Sequence, residues 1–310
     1  MIKISAIVCT YKRVDYLRQA LRSLCDQTLD RDQYEIIVVD NAVEVEAERI
    51  VQEFQDGKLN LRYMTENHVG LSHARNKGLK EADGRYVAYI DDDARADEHW
   101  LETLVRAFER TSPAPAAVGG RVWLDWQGDK PAWVPDDQLS LFTYVDHGEE
   151  SHPLRKNEYL VGANVAFDKA ALNSIGGFDA NLGRQGSVLL SGEEAHVLQQ
   201  LIVRGLEIYY EPGAVVWHSV HSSRKRRSWL LKRMFWDGAS QPLLDRPTER
   251  RSRRLILRAV CSDLRQCFGW SASAVTATIR GRKGNAWQSL LGLSQRAGRV
   301  RTQMRMLGHD

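Results

Sequence analysis

The residues of this sequence best suited to do chemistry are three consecutive aspartates, Asp91, Asp92 and Asp93, which follow the apolar run YVAYI. Adjacent carboxylates repel one another, so folding them together is costly unless a cation or hydrogen-bond donors compensate. Hard divalent cations prefer oxygen ligands and often bind through one or two carboxylates plus substrate phosphates. The position after an apolar strand favours a metal site over the alternative, a solvated acidic turn.

A histidine late in the chain is a second candidate. His218 lies in the run VVWHSVHSSR, after a predicted strand. A lone histidine is more often structural than a ligand, but imidazole suits Mn²⁺-like ions once carboxylates lie nearby. His221 is a weaker competitor for the same role.

Two glutamates, Glu193 and Glu194, begin a predicted helix after Ser191 and Gly192. The small residues place both carboxylates in the first turn, near the positive end of the helix dipole. One of them could act as a general base toward an incoming hydroxyl group. An ordinary acidic first turn is the equally common alternative.

Two weaker signals lie nearer the N-terminus. In the first, the segment Thr10-Tyr11-Lys12-Arg13 and Asp40 follow two apolar runs, and they offer an aromatic ring, a cation and a carboxylate. These groups suit a nucleobase, a phosphate and a hydrogen-bond donor. In the second, residues 67–76, Gly70 can form a tight turn and Arg75 can face a phosphate from a helix start.

The elements that must position these groups alternate along the first 124 residues. Strand-like runs cover residues 2–9, 34–39, 59–64, 86–90 and 117–124, and helical patterns cover 15–25, 45–54, 71–82 and 98–109. This alternation predicts an α/β fold with a mainly parallel sheet and crossover helices. Ligands bind off the carboxyl ends of such strands, which is where the candidate residues cluster.

The second part of the chain is less regular. Residues 125–156 read as an irregular segment, 159–167 as a strand, 192–204 as a helix and 208–217 as a strand pair broken by Pro212-Gly213. From residue 224 the pattern is helical and basic.

Charge is unevenly distributed. Residues 220–310 carry 20 Lys and Arg against 5 Asp and Glu, whereas residues 1–219 carry 23 against 35. The basic region is either a solvated helical tail or a contact for an anionic partner, namely a lipid headgroup, a pyrophosphate-linked acceptor or nucleic acid. No nucleic-acid-binding motif is present, so no nucleic-acid partner is expected.

Four cysteines without disulfide-like spacing indicate a reducing compartment. The N-terminal run does not read as a signal peptide, and no stretch of about 18 consecutive apolar residues occurs. The expected location is the cytoplasm, either in solution or peripherally on the inner face of the cytoplasmic membrane.

Eight motifs of the sequence occur in the order found in family 2 glycosyltransferases of the GT-A fold. The sequence resembles these enzymes over residues 2–223. They are CTYKR at 9–13, EIIVVDN at 35–41, NHVGLSHARN at 67–76, DDD at 91–93, GAN at 162–164, GGFD at 176–179, SGEE at 191–194 and His218. The GLSHARN variant resembles bacterial exopolysaccharide and cell-surface glycan transferases of the succinoglycan type.

The resemblance implies a Rossmann-like catalytic domain over residues 1–223, with a nucleotide-sugar half at 1–124 and an acceptor half at 125–223, followed by a basic helical region at 224–310. It implies an inverting, metal-dependent (Mn²⁺ or Mg²⁺) transfer from a nucleotide sugar, usually a UDP-sugar, to a glycan or lipid-linked saccharide. The QxxRW motif of processive members is absent, which favours transfer of a single sugar.

The resemblance also implies residue roles. The nucleobase would be held by Thr10, Tyr11 and Asp40, with Arg13 nearby, and the nucleotide would be bordered by Asn67, Gly70 and Arg75. Asp91 and Asp92 would lie near the ribose and sugar, and Asp93 and His218 would bind the metal. The donor sugar and the acceptor would be bordered by Gly162, Ala163 and Asn164. The catalytic base matches Glu194, where the family usually has Asp, so Glu193 stays the alternative.

Two other functions compete with sugar transfer. A nucleotidyltransferase would need a Gly-rich N-terminal loop that CTYKR lacks. A non-catalytic glycosyltransferase-like binding protein is the other alternative, although DDD, SGEE and His218 are intact. In the basic region, stretches such as WLLKRMFW interleave apolar residues with Arg and Lys, which is typical of a helix in an anionic interface. Packing of these apolar faces onto the catalytic domain is the competing interpretation.

Overall fold

The computed structural model describes residues 1–55, 57, 59–245, 253–280 and 282–307. The chain forms two compact units, one of Met1–Ala180 with Glu193–His221 and one of Asn181–Gly192 with Ser222–Asp310. Of the predicted basic helical region, residues 246–252, 281 and 308–310 lie outside the described residues.

The first unit contains alternating strands and helices. Its strands are β1 (Ile4–Thr10), β2 (Tyr34–Asp40), β3 (Asn60–Thr65), β4 (Tyr86–Asp91), β5 (Ala94–Ala96), β6 (Ala117–Trp126), β7 (His152–Pro153), β8 (Val165–Asp168) and β9 (Ile208–Val220). Its helices are α1 (Val14–Cys25), α2 (Val45–Glu53), α3 (Leu71–Glu81), α4 (Trp100–Arg110), α5 (Lys169–Ser174) and α6 (Glu193–Val203).

Within the described residues these strands form one sheet in the order β3-β2-β1-β4-β8-β6-β9-β5, with β7 on β9. The long pairings, β2–β3, β1–β2, β1–β4 and β6–β9, are parallel, whereas β8, β5 and β7 add short antiparallel pairings. The predicted fold class, a mixed and mainly parallel sheet flanked by helices, is confirmed.

Burial on both faces explains the continuous apolar runs. Every residue of β2 is buried, and alternate side chains enter two separate cores, with Ile36 and Val38 in one and Ile37 and Val39 in the other. A strand covered by helices on both faces needs apolar residues at every position. Its carboxyl end is therefore the first place where polar groups can be accommodated.

Two predicted elements differ. Residues 159–164 are not strand, because β8 begins only at Val165. The predicted broken pair at 208–217 is a single strand, β9, which runs through Pro212-Gly213. The pairing with β6 shifts between Gly119 and Arg121, and this bulge accommodates a proline that cannot donate to the ladder.

The second unit contains α7 (Arg227–Leu244), α8 (Arg253–Ile279) and α9 (Lys283–Leu307). Gly238 and Gly298 permit close packing of α7 on α9, since a Cβ at either position would overlap a carbonyl oxygen of the other helix, Gln295 O or Phe235 O. Among the described residues, no helix combines the length and the apolar character needed to cross a membrane.

Gly120 lies against the β9 bulge, and a Cβ there would overlap the carbonyl oxygens of Ala214 and Glu211. We expect Gly120→Ala to lower the free energy of unfolding by about 1–3 kcal/mol, because backbone atoms cannot move aside as a side chain can. Gly213→Ala is the matched control, since its nearest neighbours are side-chain atoms at 3.3 Å. Urea denaturation measures both, and equal stabilities would contradict the close approach.

Candidate functional site

The carboxyl ends of β1, β2 and β4 bring three predicted groups to one edge of the sheet. Thr10 lies opposite Asp40 in the β1–β2 register, and Cys9 lies opposite Asp91 in the β1–β4 register. Asp92 and Asp93 form the turn between β4 and β5. The acidic turn therefore lies beside the end of β1, as expected for a ligand-binding edge.

The short strand β5 connects this turn to the far end of the chain. β5 pairs antiparallel with β9, with Ala94 opposite His218, and the Ser219 N–H donates a hydrogen bond to the Asp93 carbonyl oxygen at 2.8 Å. This pairing brings His218 to the aspartates although more than a hundred residues separate them in sequence.

Asp91, Asp93 and His218 form a group with the composition of a metal site. His218 Nε2 lies 3.8 Å from Asp91 Oδ2 and 3.4 Å from Asp93 Oδ1, and one ligand atom from each residue falls within 4.8 Å of the others. Two carboxylates and an imidazole suit Mn²⁺ or Mg²⁺ with additional oxygen ligands. The predicted pair Asp93 and His218 thus gains Asp91 as a third candidate ligand.

His221 also reaches the cluster, because its Nε2 lies 3.0 Å from Asp93 Oδ2. The ring of Tyr16 packs edge-on against His221 with centroids 4.0 Å apart. The sequence interpretation did not include Tyr16, and its helical spacing in α1 gave no signal for a role at the site.

Arg13 neutralises the other side of the acidic turn. Its guanidinium contacts Asp92 Oδ1 at 2.6 Å and Asp93 Oδ2 at 2.5 Å, and the Thr10 hydroxyl donates to Asp92 Oδ2 at 2.9 Å. Burial raises the pKa of Asp92 above its usual range, and the Arg13 guanidinium opposes that rise. Thr10, Arg13 and Asp92, all predicted to bind donor, are therefore brought together, with Thr10 and Arg13 each bonded to Asp92.

Arg75 joins the acidic turn to the two glutamates. Its guanidinium lies 3.0 Å from Glu193 Oε1, 3.8 Å from Glu194 Oε2 and 3.7 Å from Asp91 Oδ1. Burial alone would lower the pKa of Arg75, but the three carboxylates raise it above its usual value. Arg75 is thus a buried cation between two acidic groups, and its predicted contact with nucleotide stays a prediction.

Gly162 contacts Glu194 and leaves space for Arg75. Its N–H donates to Glu194 Oε1 at 3.2 Å, and a Cβ at this position would overlap the Arg75 guanidinium. Only glycine leaves room for the arginine here, which gives the predicted GAN segment a concrete packing role.

The two glutamates differ in environment. The side chain of Glu193 is 5% exposed and that of Glu194 is 19% exposed. Burial raises the pKa of Glu193 to about 7, the charge of Glu194 adds to the rise, and Arg75 opposes it. Glu193 is therefore a group that retains its proton to higher pH, whereas Glu194 is the more accessible carboxylate.

Asp40 organises the loop after β2. Its carboxylate accepts hydrogen bonds from the N–H groups of Ala42 and Glu44 at 2.8 and 2.6 Å and from the Tyr63 hydroxyl at 2.9 Å. Burial, followed by this hydrogen bond, raises the pKa of Tyr63. Both oxygens of Asp40 thus have protein partners in this structure.

Asn41, which belongs to the motif EIIVVDN but has no predicted role of its own, is a positioning residue. Its amide donates to the carbonyl oxygens of Glu66 and His68, and its Oδ1 accepts from the Gly70 N–H at 2.7 Å. It thereby holds the segment that carries the exposed Asn67 against the end of β2. Tyr11 is half-buried, with Lys12 Nζ 5.5 Å from its ring centroid.

Asn164 does not join the acidic cluster. Its side chain is fully buried, accepts from Trp100 Nε1 at 2.8 Å, and donates to the carbonyl oxygens of Arg121 and Ala214 at 2.8 Å. It ties α4, β6 and β9 together, and its predicted contact with the donor stays a prediction.

Comparisons with known proteins identify the family. The sequence profile described as Glycosyl transferase family 2 matches residues 5–175. The chain is 32% identical over 247 residues to the glucosyl-dolichyl phosphate glucuronosyltransferase of Haloferax volcanii, covering 78% of this chain and 77% of that protein. It is 30% identical over 234 residues to the succinoglycan biosynthesis protein ExoM of Rhizobium meliloti, covering 74% and 71%.

A solved structure shares the fold. The mannosyltransferase PcManGT from Pyrobaculum calidifontis, in complex with GDP-Man and Mn²⁺, superposes with a TM-score of 0.62 at 18% identity, covering 97% of this chain and 86% of that one. At this identity the likeness bears on the fold alone.

The raised pKa of Glu193 makes stability depend on pH. Between about pH 4.3, where an exposed glutamate titrates, and pH 7, the unfolded chain loses a proton that the folded chain retains. The free energy of unfolding should therefore fall as pH rises through this window. Relative to wild type, Glu193→Gln should remove about 3–4 kcal/mol of this dependence.

The measurement is urea denaturation from pH 4 to 8. Glu98→Gln is the matched control, since that side chain is 68% exposed and its removal should leave the dependence unchanged. Parallel curves for Glu193→Gln and wild type would mean that the pKa of Glu193 is the same in the folded and the unfolded protein.

Proposed function

The chain belongs to glycosyl transferase family 2, and from this premise we propose that it moves a single sugar from a nucleoside-diphosphate sugar to a hydroxyl group of a saccharide, with inversion at the anomeric carbon. One observation carries the proposal: Arg75 contacts both the cluster that includes Asp91 and the glutamate pair. The proposed leaving-group site and the proposed base are thereby adjacent, as a single displacement requires.

The donor diphosphate is proposed to lie at the acidic turn. Asp91, Asp93 and His218 would hold a divalent cation, which supplies positive charge next to the leaving diphosphate when it is bound. Arg13 keeps Asp92 and Asp93 in place and neutralises part of their charge. This arrangement stabilises charge where it develops as the glycosidic bond breaks.

The nucleoside is proposed to lie along the ends of β1 and β2, near Thr10, Tyr11 and Asp40. UDP is the proposed nucleotide, as the resemblance of residues 9–13 and 35–41 implies. GDP is the second candidate, since the structural neighbour is a complex with GDP-Man.

Glu194 is the proposed general base, because its carboxylate is the more exposed of the pair and Gly162 orients it. The acceptor oxygen forms a bond to the anomeric carbon from the face opposite the diphosphate. The bond from that carbon to the diphosphate oxygen breaks with its electron pair on the leaving group, and the acceptor proton passes to Glu194. Glu193 and Arg75 hold the base in position.

The acceptor is proposed to be a glycan or a lipid-linked saccharide used for surface polysaccharide, handled at the cytoplasmic side of the membrane. Two relatives support this class by name, a glucosyl-dolichyl phosphate glucuronosyltransferase and a succinoglycan biosynthesis protein. Residues 1–223 are the proposed catalytic domain, with the acceptor half at 125–223 and the basic region beyond it. Family membership disfavours the nucleotidyltransferase alternative.

Binding of the donor can be measured before the acceptor is known. We expect UDP or a UDP-sugar to raise the Tm in the presence of Mn²⁺ or Mg²⁺ and not in EDTA, because the diphosphate and the acidic turn repel each other without a cation. A ligand at 100 times its Kd adds about 2.7 kcal/mol. A panel of nucleoside diphosphates and their sugars identifies the base and the sugar.

Asp93→Asn should abolish the metal-dependent shift, whereas Asp32→Asn, at an exposed position in the same unit, should retain it. Absence of any shift with folded wild-type protein would contradict the donor site. A shift with every nucleotide diphosphate but no turnover of any donor would favour the non-catalytic alternative.

The base assignment predicts separate effects on binding and turnover. Glu194→Gln should lower kcat by about 10²–10⁴-fold, the usual contribution of a general base, while the donor-dependent Tm shift is retained. The assay is release of nucleoside diphosphate with the best acceptor of a saccharide panel, and Glu98→Gln is the control. A full loss in Glu193→Gln with an active Glu194→Gln would move the role to Glu193.

A further inference from the structure

A continuous row of exposed apolar side chains runs along α8. Its members are Leu257, Leu264, Phe268, Val275 and Ile279, and Phe268 and Ile279 are 79% and 80% exposed. Their spacings of seven and four residues keep them on one side of a helix with 3.6 residues per turn. The row, here named the α8 apolar row, is about 33 Å long at 1.5 Å per residue.

Internal packing does not account for this row. The opposite face of α8 supplies the buried residues Ile256, Val260, Ala274 and Ala277, and α8 packs along α9. This face of α8 is therefore packed within the second unit. Single exposed apolar side chains are ordinary, but a contiguous row marks an interaction surface.

The charges beside the row are basic. Arg254, Arg258 and Arg265 are exposed and lie between about 60° and 100° around the helix from Leu257, as 100° per residue requires. Asp263 is the one acidic residue in the sequence of α8, and it is buried and bonded to Arg296 and Gln303. The exposed surface of α8 thus offers guanidinium groups without carboxylates.

We propose that α8 binds the surface of an anionic lipid bilayer, lying parallel to it with the α8 apolar row in the acyl boundary and the flanking arginines at lipid phosphates. A helix with an apolar face and a basic flank has the composition of such interfacial helices, and each arginine near an anionic leaflet adds attraction. The inference goes beyond sugar transfer and does not depend on it.

The positive charge beside the α8 apolar row favours an anionic bilayer over other binding partners. A second copy of the same face would bring the arginines of both copies together, and like charges across an interface are unfavourable. Nucleic acid would satisfy the arginines but offers no acyl layer for Phe268 and Ile279. An anionic bilayer satisfies both parts of the surface.

The test is flotation of the purified full chain with vesicles of phosphatidylcholine alone or mixed with phosphatidylglycerol. The anionic vesicles should bind about tenfold or more tightly than the neutral ones, and added salt should weaken the binding. The double variant Phe268→Ser with Ile279→Ser should lose about tenfold or more in affinity, since two large side chains no longer leave water.

Leu255→Ser is the matched control, because Leu255 is 54% exposed on α8 but lies about 160° around the helix from the row. It should bind vesicles as wild type does. Phe268→Trp should also retain binding, since an indole suits the interface. Arg258→Gln with Arg265→Gln should reduce the preference for anionic vesicles and leave the weak neutral binding unchanged.

Equal flotation of wild type and the double serine variant would overturn the proposal, as would equal binding to neutral and anionic vesicles. A wild-type dimer that becomes monomeric in the serine variant, without vesicle binding, would assign the row to a second copy instead. The nucleotide-dependent Tm shift should be the same in all these variants. Failure of flotation with that shift intact is thus distinct from failure of the proposed function.

Discussion

The site depends on how five converging carboxylates are neutralised. Asp91, Asp92, Asp93, Glu193 and Glu194 meet Arg13 and Arg75, and most of these groups are buried. Two guanidinium groups cannot balance five ionised carboxylates at low dielectric. The remainder must be offset by protons, as the raised pKa values of Asp92 and Glu193 indicate, or by a bound cation. The same imbalance of charge suits the group Asp91, Asp93 and His218 to a divalent ion.

Arg75 makes the two acidic groups one system. Because its guanidinium contacts Asp91 on one side and Glu193 on the other, a change of charge at either group is felt at the other. Gly162 is the condition for this arrangement, since any side chain there would occupy the space of the guanidinium. Gly162 thus leaves space for the Arg75 guanidinium, and the positive charge of Arg75 in turn stabilises the carboxylates around it.

Glycines also allow two parts of the backbone to approach closely at positions away from the site. Gly120 admits the bulge that carries β9 past Pro212 toward His218, and Gly238 and Gly298 bring α7 and α9 together. In the second unit α8 packs along α9 with its other face and leaves the α8 apolar row and its arginines exposed. The basic region after residue 220 therefore also presents a defined apolar surface.

The sequence by itself determined the apolar strands, the helices between them and the polar groups at strand ends, because a doubly covered sheet requires continuous apolar runs and accepts charges only where strands stop. The acidic turn could be found in this way, whereas the glutamate pair was found from a predicted helix start and His218 from its residue type. The tertiary structure decided how they combine. The three-residue strand β5 carries no sequence signal, yet its pairing with β9 joins Asp93 to His218. Arg75 is turned to Glu193, and Asn164 into the core, by contacts between residues far apart in the chain, which local periodicity does not encode.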